Sequence, residues 1–170
     1  MISSPPQSSR LAPREALADL GRRLRAEGRR VVSTNGCFDL LHVGHVRFLQ
    51  AARGLGDCLV VGLNGDASVR RLKGADRPLT PAAERAEILL ALESVDYVTV
   101  FEEDLPSAFL AELRPEVHVK GADYTEAECP ESTVVRQYGG RMHFLPLTPH
   151  HSTSAIVGRL GPNRPEETAP

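Results

Sequence analysis

Apolar residues in this chain fall into two alternating kinds of run. Short, nearly unbroken apolar runs, most of them rich in valine, stand at Arg30–Thr34, Asp57–Asn64, Val95–Phe101, Glu116–Lys120 and Met142–Leu145. Runs of that kind mark strands covered on both faces. Between them, apolar residues recur at spacings of three and four, as one face of a helix requires. Ala16, Leu17, Leu20 and Leu24 do so between Pro13 and Glu27, Val46 and Leu49 after His42, Val69 and Leu72 further on, and Ala86, Leu89, Leu90 and Ala91 after Pro81. Shorter helices are predicted over Leu105–Leu113, Glu131–Tyr138 and from Ser152-Thr153-Ser154 onward, where a hydroxyl residue suits the N-cap. Pro13 and Pro81 open helices, while Gly28 and Gly54-Leu55-Gly56 close them. Glu84-Arg85-Ala86-Glu87 reads as the outer part of its helix.

Strands alternating with helices across short loops predict an α/β domain with a five-stranded, mainly parallel sheet and right-handed crossovers. Ser/Pro/Gln-rich residues 1–10 read as a disordered tail, Pro/Glu-rich residues 161–170 as another, and residues 11–160 as one domain. In such sheets ligands bind beyond the carboxyl ends of the strands, where strand order reverses. Four polar turns gather there: Thr34–Asp39, Asn64–Asp66, Lys120–Tyr124 and Ser152–Ser154. The glycine- and proline-punctuated loop Lys73–Pro78 is expected to be mobile.

Composition narrows the function. With 170 residues, 41% hydrophobic and 25% charged, the chain can bury a real core. Twenty basic against twenty-two acidic residues leave a net charge of −2, which supplies no broad cationic field for nucleic acid or an anionic membrane. Any anion must therefore be held locally. No apolar run approaches the ~20 residues that span a bilayer, and the three cysteines, Cys37, Cys58 and Cys129, fit neither a disulfide framework nor a zinc spacing. A cytoplasmic protein is expected, with no protein-held metal, and a small homo-oligomer such as a dimer is the default assembly.

The local anion site is legible at Val31–Leu49. There a strand runs into Asn35-Gly36-Cys37-Phe38-Asp39, and a helix starts near His42-Val43-Gly44-His45. Gly36 allows backbone amides to approach a ligand, and the first helical turn has free N–H groups at the positive end of its dipole. Such a site favours phosphate. His42 and His45, three apart, share a helical face, and Gly44 between them has no side chain to block a flat base or a ribose. Cys37 lies in this loop, but the chemistry considered below needs no covalent step.

Gly36-Cys37-Phe38-Asp39-Leu40-Leu41-His42-Val43-Gly44-His45 resembles the signature of the cytidylyltransferase-like nucleotidyltransferases. The likeness continues through Asn64–Gly74, Arg77-Pro78, Glu84-Arg85, Val95–Val98, Phe101–Asp104 and Val119–Tyr124, which together resemble the D-glycero-D-manno-heptose 1-phosphate adenylyltransferases. This resemblance implies a Rossmann-like three-layer domain that transfers AMP from ATP to D-glycero-D-manno-heptose 1-phosphate, giving ADP-heptose and pyrophosphate, with Mg²⁺ bound through the ATP phosphates. It implies that His42, His45 and Lys73 act at the triphosphate, and that Ser152, Thr153 and Ser154 cap the leaving phosphates. Asn35, Gly36, Cys37, Phe38, Gly44, Lys120, Gly121 and Asp123 would line the nucleotide, and Asp39, Asn64 and Arg77 the sugar phosphate. Two places depart from the usual pattern: His150-His151-Ser152-Thr153-Ser154 stands where relatives read Gly-Cys-Ser-Thr-Thr, and Ala122 replaces a glycine.

A sugar phosphate is already an anionic nucleophile, so the task is positioning and charge stabilisation rather than base catalysis. Histidines beside a triphosphate are expected to be at least partly protonated, because adjacent negative charge raises their pKa from ~6.5. Two other readings stay open: a cytidylyltransferase for a small acceptor of the glycerol 3-phosphate type, and an idle nucleotide-binding module that regulates a partner.

Overall fold

The computed structural model describes residues 7–149, 151 and 153–160. Five strands, β1 (Val31–Gly36), β2 (Cys58–Asn64), β3 (Tyr97–Phe101), β4 (Val117–Gly121) and β5 (Arg141–Leu145), form one sheet in the order β3-β2-β1-β4-β5. All four pairings are parallel, with Val31 opposite Cys58 and Val32 opposite Val117. The helices are α1 (Gln7–Arg10), α2 (Leu17–Ala26), α3 (Val43–Arg53), α4 (Asp66–Lys73), α5 (Ala82–Ala91), α6 (Ser107–Leu113), α7 (Ser132–Gln137) and α8 (Thr153–Leu160).

Alternation along the strands builds a core on each face of the sheet. Val32, Leu59, Val61, Leu63, Val98, Val117 and Val119 pack with Leu49 and Ala52 of α3 and Leu89 of α5. Val31, Cys58, Val60 and Tyr97 pack instead with Leu17, Leu20 and Leu24 of α2, Phe109, Leu110 and Leu113 of α6 and Val135 of α7. Every residue of β2 is therefore buried, which is why its sequence reads as one apolar run. His118 of β4 is buried too, its Nδ1 2.8 Å from the Ser33 hydroxyl of β1.

Three details differ from expectation. Gln7–Arg10, placed in a loose tail by composition, form a helical turn because Arg10 donates to the carbonyls of Leu90 at 2.8 Å, Val95 at 2.6 Å and Asp96 at 3.1 Å. Residues 161–170 lie outside the described residues. The loop after Lys73 is tied at its far end: Arg77 pairs with Asp39 at 2.7 Å, and the backbone amides of Leu79 and Thr80 donate to the same carboxylate. Arg85, expected on the outer part of its helix, is 1% exposed. It stands four residues before Leu89, on the stripe that α5 buries.

From β1 the chain moves outward to β2 and β3, then returns to place β4 on the other side of β1. The crevice this reversal opens lies beyond the carboxyl ends of β1 and β4. Asn35 and Lys120 stand at those two ends, 3.3 Å apart from Oδ1 to Nζ.

Candidate active site

One cavity of about 710 Å³ opens at that crevice. It collects Asn35, Gly36, Cys37, Phe38, Asp39, His42, Gly44, His45, Asn64, Lys73, Arg77, Lys120, Gly121, Asp123 and Thr153, which the sequence scatters over more than a hundred positions. Ser152 lies outside the described residues, and Ser154 belongs to α8 with its side chain outside them. Thr153 donates its hydroxyl to the Leu40 carbonyl at 3.1 Å, so it pins the start of α8 to the loop after β1.

The loop after β1 carries a specific strain. Phe38 sits at φ 45°, in the left-handed region that non-glycine residues avoid. That turn buries its ring in the core, 5.3 Å from the His45 ring. Gly36 makes room for it: a Cβ there would stand 3.1 Å from the Phe38 ring. The strain is maintained by packing from beneath, which places a stiff floor under the histidines.

His42 is the N-cap of α3, and its carbonyl accepts from the His45 and Val46 amides at 2.9 and 3.3 Å. Among the described residues no side chain caps this helix, so its first N–H groups have no side-chain partner there. The two imidazoles stack at 3.8 Å between centroids and 19° between planes. The space above Gly44 is taken by protein rather than left for a ligand. A Cβ there would lie 2.9 Å from His42 Nδ1 and 3.2 Å from the His151 Cβ, so glycine is needed for the ring to fold back.

Burial, more than the contact itself, sets the charge of this pair. Burial, and then the neighbouring His151, push the His42 pKa below its ordinary value. Burial, and then His42, push His45 down to about 4. Burial thus favours the neutral pair at pH 7 in the protein by itself, while the protonation expected from the sequence belongs to the pair beside a triphosphate, whose negative charge draws a histidine pKa upward. Both Nδ1 atoms are sealed from solvent and have no hydrogen-bond partner among the described residues. A bare lone pair is easier to leave there than an N–H, so the proton belongs on Nε2, where it can donate to a phosphate oxygen.

The cavity's other cations differ in how far they are neutralised. Arg77 is paired with Asp39, and Lys120 with Glu131 at 2.9 Å. Among the described residues lining the cavity, Lys73 is the one lysine or arginine with no carboxylate partner. Asp39 is nearly buried, and both its oxygens are occupied by Arg77, Leu79 and Thr80, while Asn64 donates to the Ser68 hydroxyl at 3.0 Å. These two shape the wall through the protein's own bonds. Cys37 also lines the wall, and burial pushes its thiol pKa up, away from nucleophilic use.

Three participants escaped the sequence reading. Arg85 reaches from α5 under the whole site, donating to the carbonyls of Thr80 at 2.8 Å, Cys37 at 2.5 Å and Asn64 at 2.9 Å, and to Asp66 at 2.7 Å. Its place on the apolar stripe was the available signal. His151 lines the cavity with its ring 6.4 Å from that of His42, and its Nδ1 donates to the Pro149 carbonyl at 2.7 Å. Its departure from the usual pattern was the signal there. Glu131 had none.

A doubly covered parallel sheet defines this as a Rossmann-like α/β domain, and among the described residues a helix start without a side-chain cap, a histidine pair and a lysine without a carboxylate partner stand around its switch point. The chain belongs to the family described as Cytidylyltransferase-like, whose family model matches residues 33–159. It is 50% identical over 156 residues to the bifunctional protein HldE of Geotalea uraniireducens, covering 92% of this chain and 32% of that protein. Against the bifunctional protein HldE of Streptomyces coelicolor it is 54% identical over 140 residues, covering 82% and 30%. The chain thus spans about a third of the length of these curated relatives. A lipopolysaccharide core biosynthesis protein from Thermoplasma volcanium matches in structure with TM-score 0.60 and 26% identity, over 71% of this chain and 98% of that one. No helix among the described residues is long and apolar enough to cross a membrane.

Proposed function

We propose that this domain transfers AMP from ATP to D-glycero-D-manno-heptose 1-phosphate, releasing pyrophosphate and forming ADP-heptose. The carrying observation is the unequal treatment of cations around the cavity. Asp39 neutralises Arg77 and Glu131 neutralises Lys120, while Lys73, the stacked histidines and the α3 N-terminus are left for a ligand's negative charge. The likeness to the bifunctional HldE proteins and to a lipopolysaccharide core biosynthesis protein supports a sugar phosphate as acceptor.

In this reading a phosphate oxygen of the sugar attacks the α-phosphorus of ATP, and the bond from that phosphorus to the bridging oxygen of the β-phosphate breaks. No proton need be removed from the nucleophile. Neutral imidazole Nε2–H groups, helix N–H groups and Lys73 stabilise charge on the departing pyrophosphate, in a wall that does not have to reorganise. Among the described residues no group of three or more His, Cys, Asp or Glu is placed to hold a metal. Mg²⁺ would enter on the ATP phosphates, as is usual for it, and offset their charge there.

The test is pyrophosphate release measured across ATP and CTP with heptose 1-phosphate, in both anomers, glycerol 3-phosphate and no acceptor. Release that requires ATP and heptose 1-phosphate is expected. Release requiring CTP or another acceptor, or none with any pair, overturns the proposal.

A further inference from the structure

The cavity has two unlike ends. At one stand the histidines, Lys73 and the start of α3; at the other, beyond the switch point, Lys120 meets Glu131. Glu131 is 2% exposed and occupies the N-cap of α7, where a carboxylate ordinarily accepts from its own helix. It makes no such bond. Among the described residues its carboxylate bonds Lys120 alone, and Lys120 in turn reaches Asn35 Oδ1 at 3.3 Å and stands 5.3 Å from the Tyr124 ring centroid.

A buried ion pair is seldom the most stable filling for its volume, because desolvation offsets most of the attraction. Glu131 makes no capping bond to α7, so hydrogen bonding within that helix does not account for its burial. Its position on a ligand-sized cavity does. With Lys120 neutralised and Asp123 on the same wall, this end offers no net attraction to a second phosphate. What it offers is a carboxylate acceptor beside an ammonium with a further N–H to give. Hydroxyl groups, which donate and accept at once, suit that pairing better than any anion or apolar group.

We propose that Lys120 and Glu131 form a hydroxyl-reading subsite, with Glu131 accepting from one hydroxyl of a sugar and Lys120 donating to its neighbour. The proposal rests on the adenylyltransfer reading for the source of the sugar, which is either the acceptor or the ribose of ATP. Glu131 then serves a second purpose: by cancelling the ammonium charge it keeps phosphate out of this end and so sets the direction in which substrates lie.

Glu131→Gln tests both parts, since it keeps the shape and leaves Lys120 uncompensated. If the acceptor's hydroxyls are read, KM for heptose 1-phosphate rises at least about tenfold, the scale of one lost charge-assisted hydrogen bond, while KM for ATP stays within about twofold. If the ribose is read, KM for ATP rises instead and the variant no longer distinguishes ATP from 2′-deoxy- or 3′-deoxy-ATP. In either case inorganic pyrophosphate binds the variant at least about threefold more tightly than the wild type, by calorimetry. That binding is measured without turnover, so it stands or falls separately from the proposed reaction. Should Glu131→Gln fail to fold, Lys120→Met/Glu131→Gln removes both charges together and is expected to show the raised KM without the tighter pyrophosphate binding. Unchanged KM values with unchanged pyrophosphate affinity, or equal rises for both substrates, overturn the proposal.

Discussion

Arg85→Met is the substitution whose consequence the structure states most fully. The side chain is completely buried, and its guanidinium serves three backbone carbonyls and one carboxylate: Thr80 before α5, Cys37 in the loop after β1, Asn64 at the end of β2 and Asp66 at the start of α4. Methionine fills most of the volume and satisfies none of them. Hydrogen bonds from a charged donor contribute roughly 1.5–3 kcal/mol each, but four do not simply add. Carbonyls retain a second lone pair, and Asp66 is 34% exposed and can turn to water. Breaking a buried ion pair costs about 3–5 kcal/mol, and about 4 kcal/mol is the figure expected here. At roughly 2–4 °C per kcal/mol for a domain of this size, the melting temperature should fall by about 8–16 °C. Circular dichroism melts and urea titrations on the same samples provide the measurement, with an unchanged urea slope showing that the native fold persists. Arg85→Lys should recover little, since one ammonium cannot span four acceptors set by a planar fork. Because the same bonds fix the Cys37 and Asn64 loops, affinity for ATP should drop along with stability. A melting temperature within about 3 °C of wild type for Arg85→Met would refute the view that this residue holds the rim together.

Acid should destabilise the fold through its buried histidines. His118, depressed to about 3 by burial and then by Lys120, and His45, depressed to about 4, refuse protons that the unfolded chain accepts below its ordinary value near 6.5. Stability is thus complete above that value and declines as pH falls toward 4, each histidine adding a slope that approaches ~1.4 kcal/mol per pH unit. Urea unfolding at pH 7, 6 and 5 checks this, and a flat profile would contradict it. With His45 held down to about 4, its neutral form should carry kcat/KM for ATP without a step between pH 8 and pH 6; a climb toward acid that depends on His45 would mean that imidazolium is the form that acts. Lys73→Met should lower kcat/KM for ATP about a hundredfold. Its stability should stay within about 0.5 kcal/mol of wild type, as suits an exposed lysine outside every ion pair seen among the described residues. A loss of stability without a loss of rate would invert its assignment.

What could be read from the sequence follows from which interactions are local. Strand positions were legible because burial on both faces leaves its record in consecutive residues, as in the seven of β2. The nearness of the two histidines was legible from their spacing of three, but their stacking was not: His42 is the extended N-cap just outside α3, and its ring meets His45 by folding back over Gly44. Charge state was not, because it depends on what covers a group. Two imidazoles beside an anion site read as cations from sequence, while in the protein by itself burial favours their neutral form, an effect no local pattern reveals. Arg85, flanked by Glu84 and Ala86-Glu87, looks solvated in sequence, yet its acceptors lie 5, 19, 21 and 48 residues away.

Cationic side chains at the rim carry this point furthest. Lys73, Arg77 and Lys120 look alike as glycine- or proline-flanked basic residues in polar turns, and a sum of charges would count all three toward phosphate. Asp39, 38 residues before Arg77, cancels one, and Glu131, from a different helix, cancels another. Pairing removes two of the three charges from the field a ligand meets, so the site's polarity is set by carboxylates that no local pattern connects to it. If the proposed reading holds, a polyphosphate is drawn to the Lys73 end because the opposite end has been neutralised, and exchanging the partners of Lys73 and Lys120 should reverse the preference. Lys73→Met combined with Glu131→Gln makes that exchange: the cationic end moves to Lys120, and pyrophosphate should bind with near wild-type affinity while turnover with ATP is lost, since the charge now lies away from the histidines and the α3 N-terminus. Turnover that survived in that double variant would show that position, not polarity, orients the triphosphate.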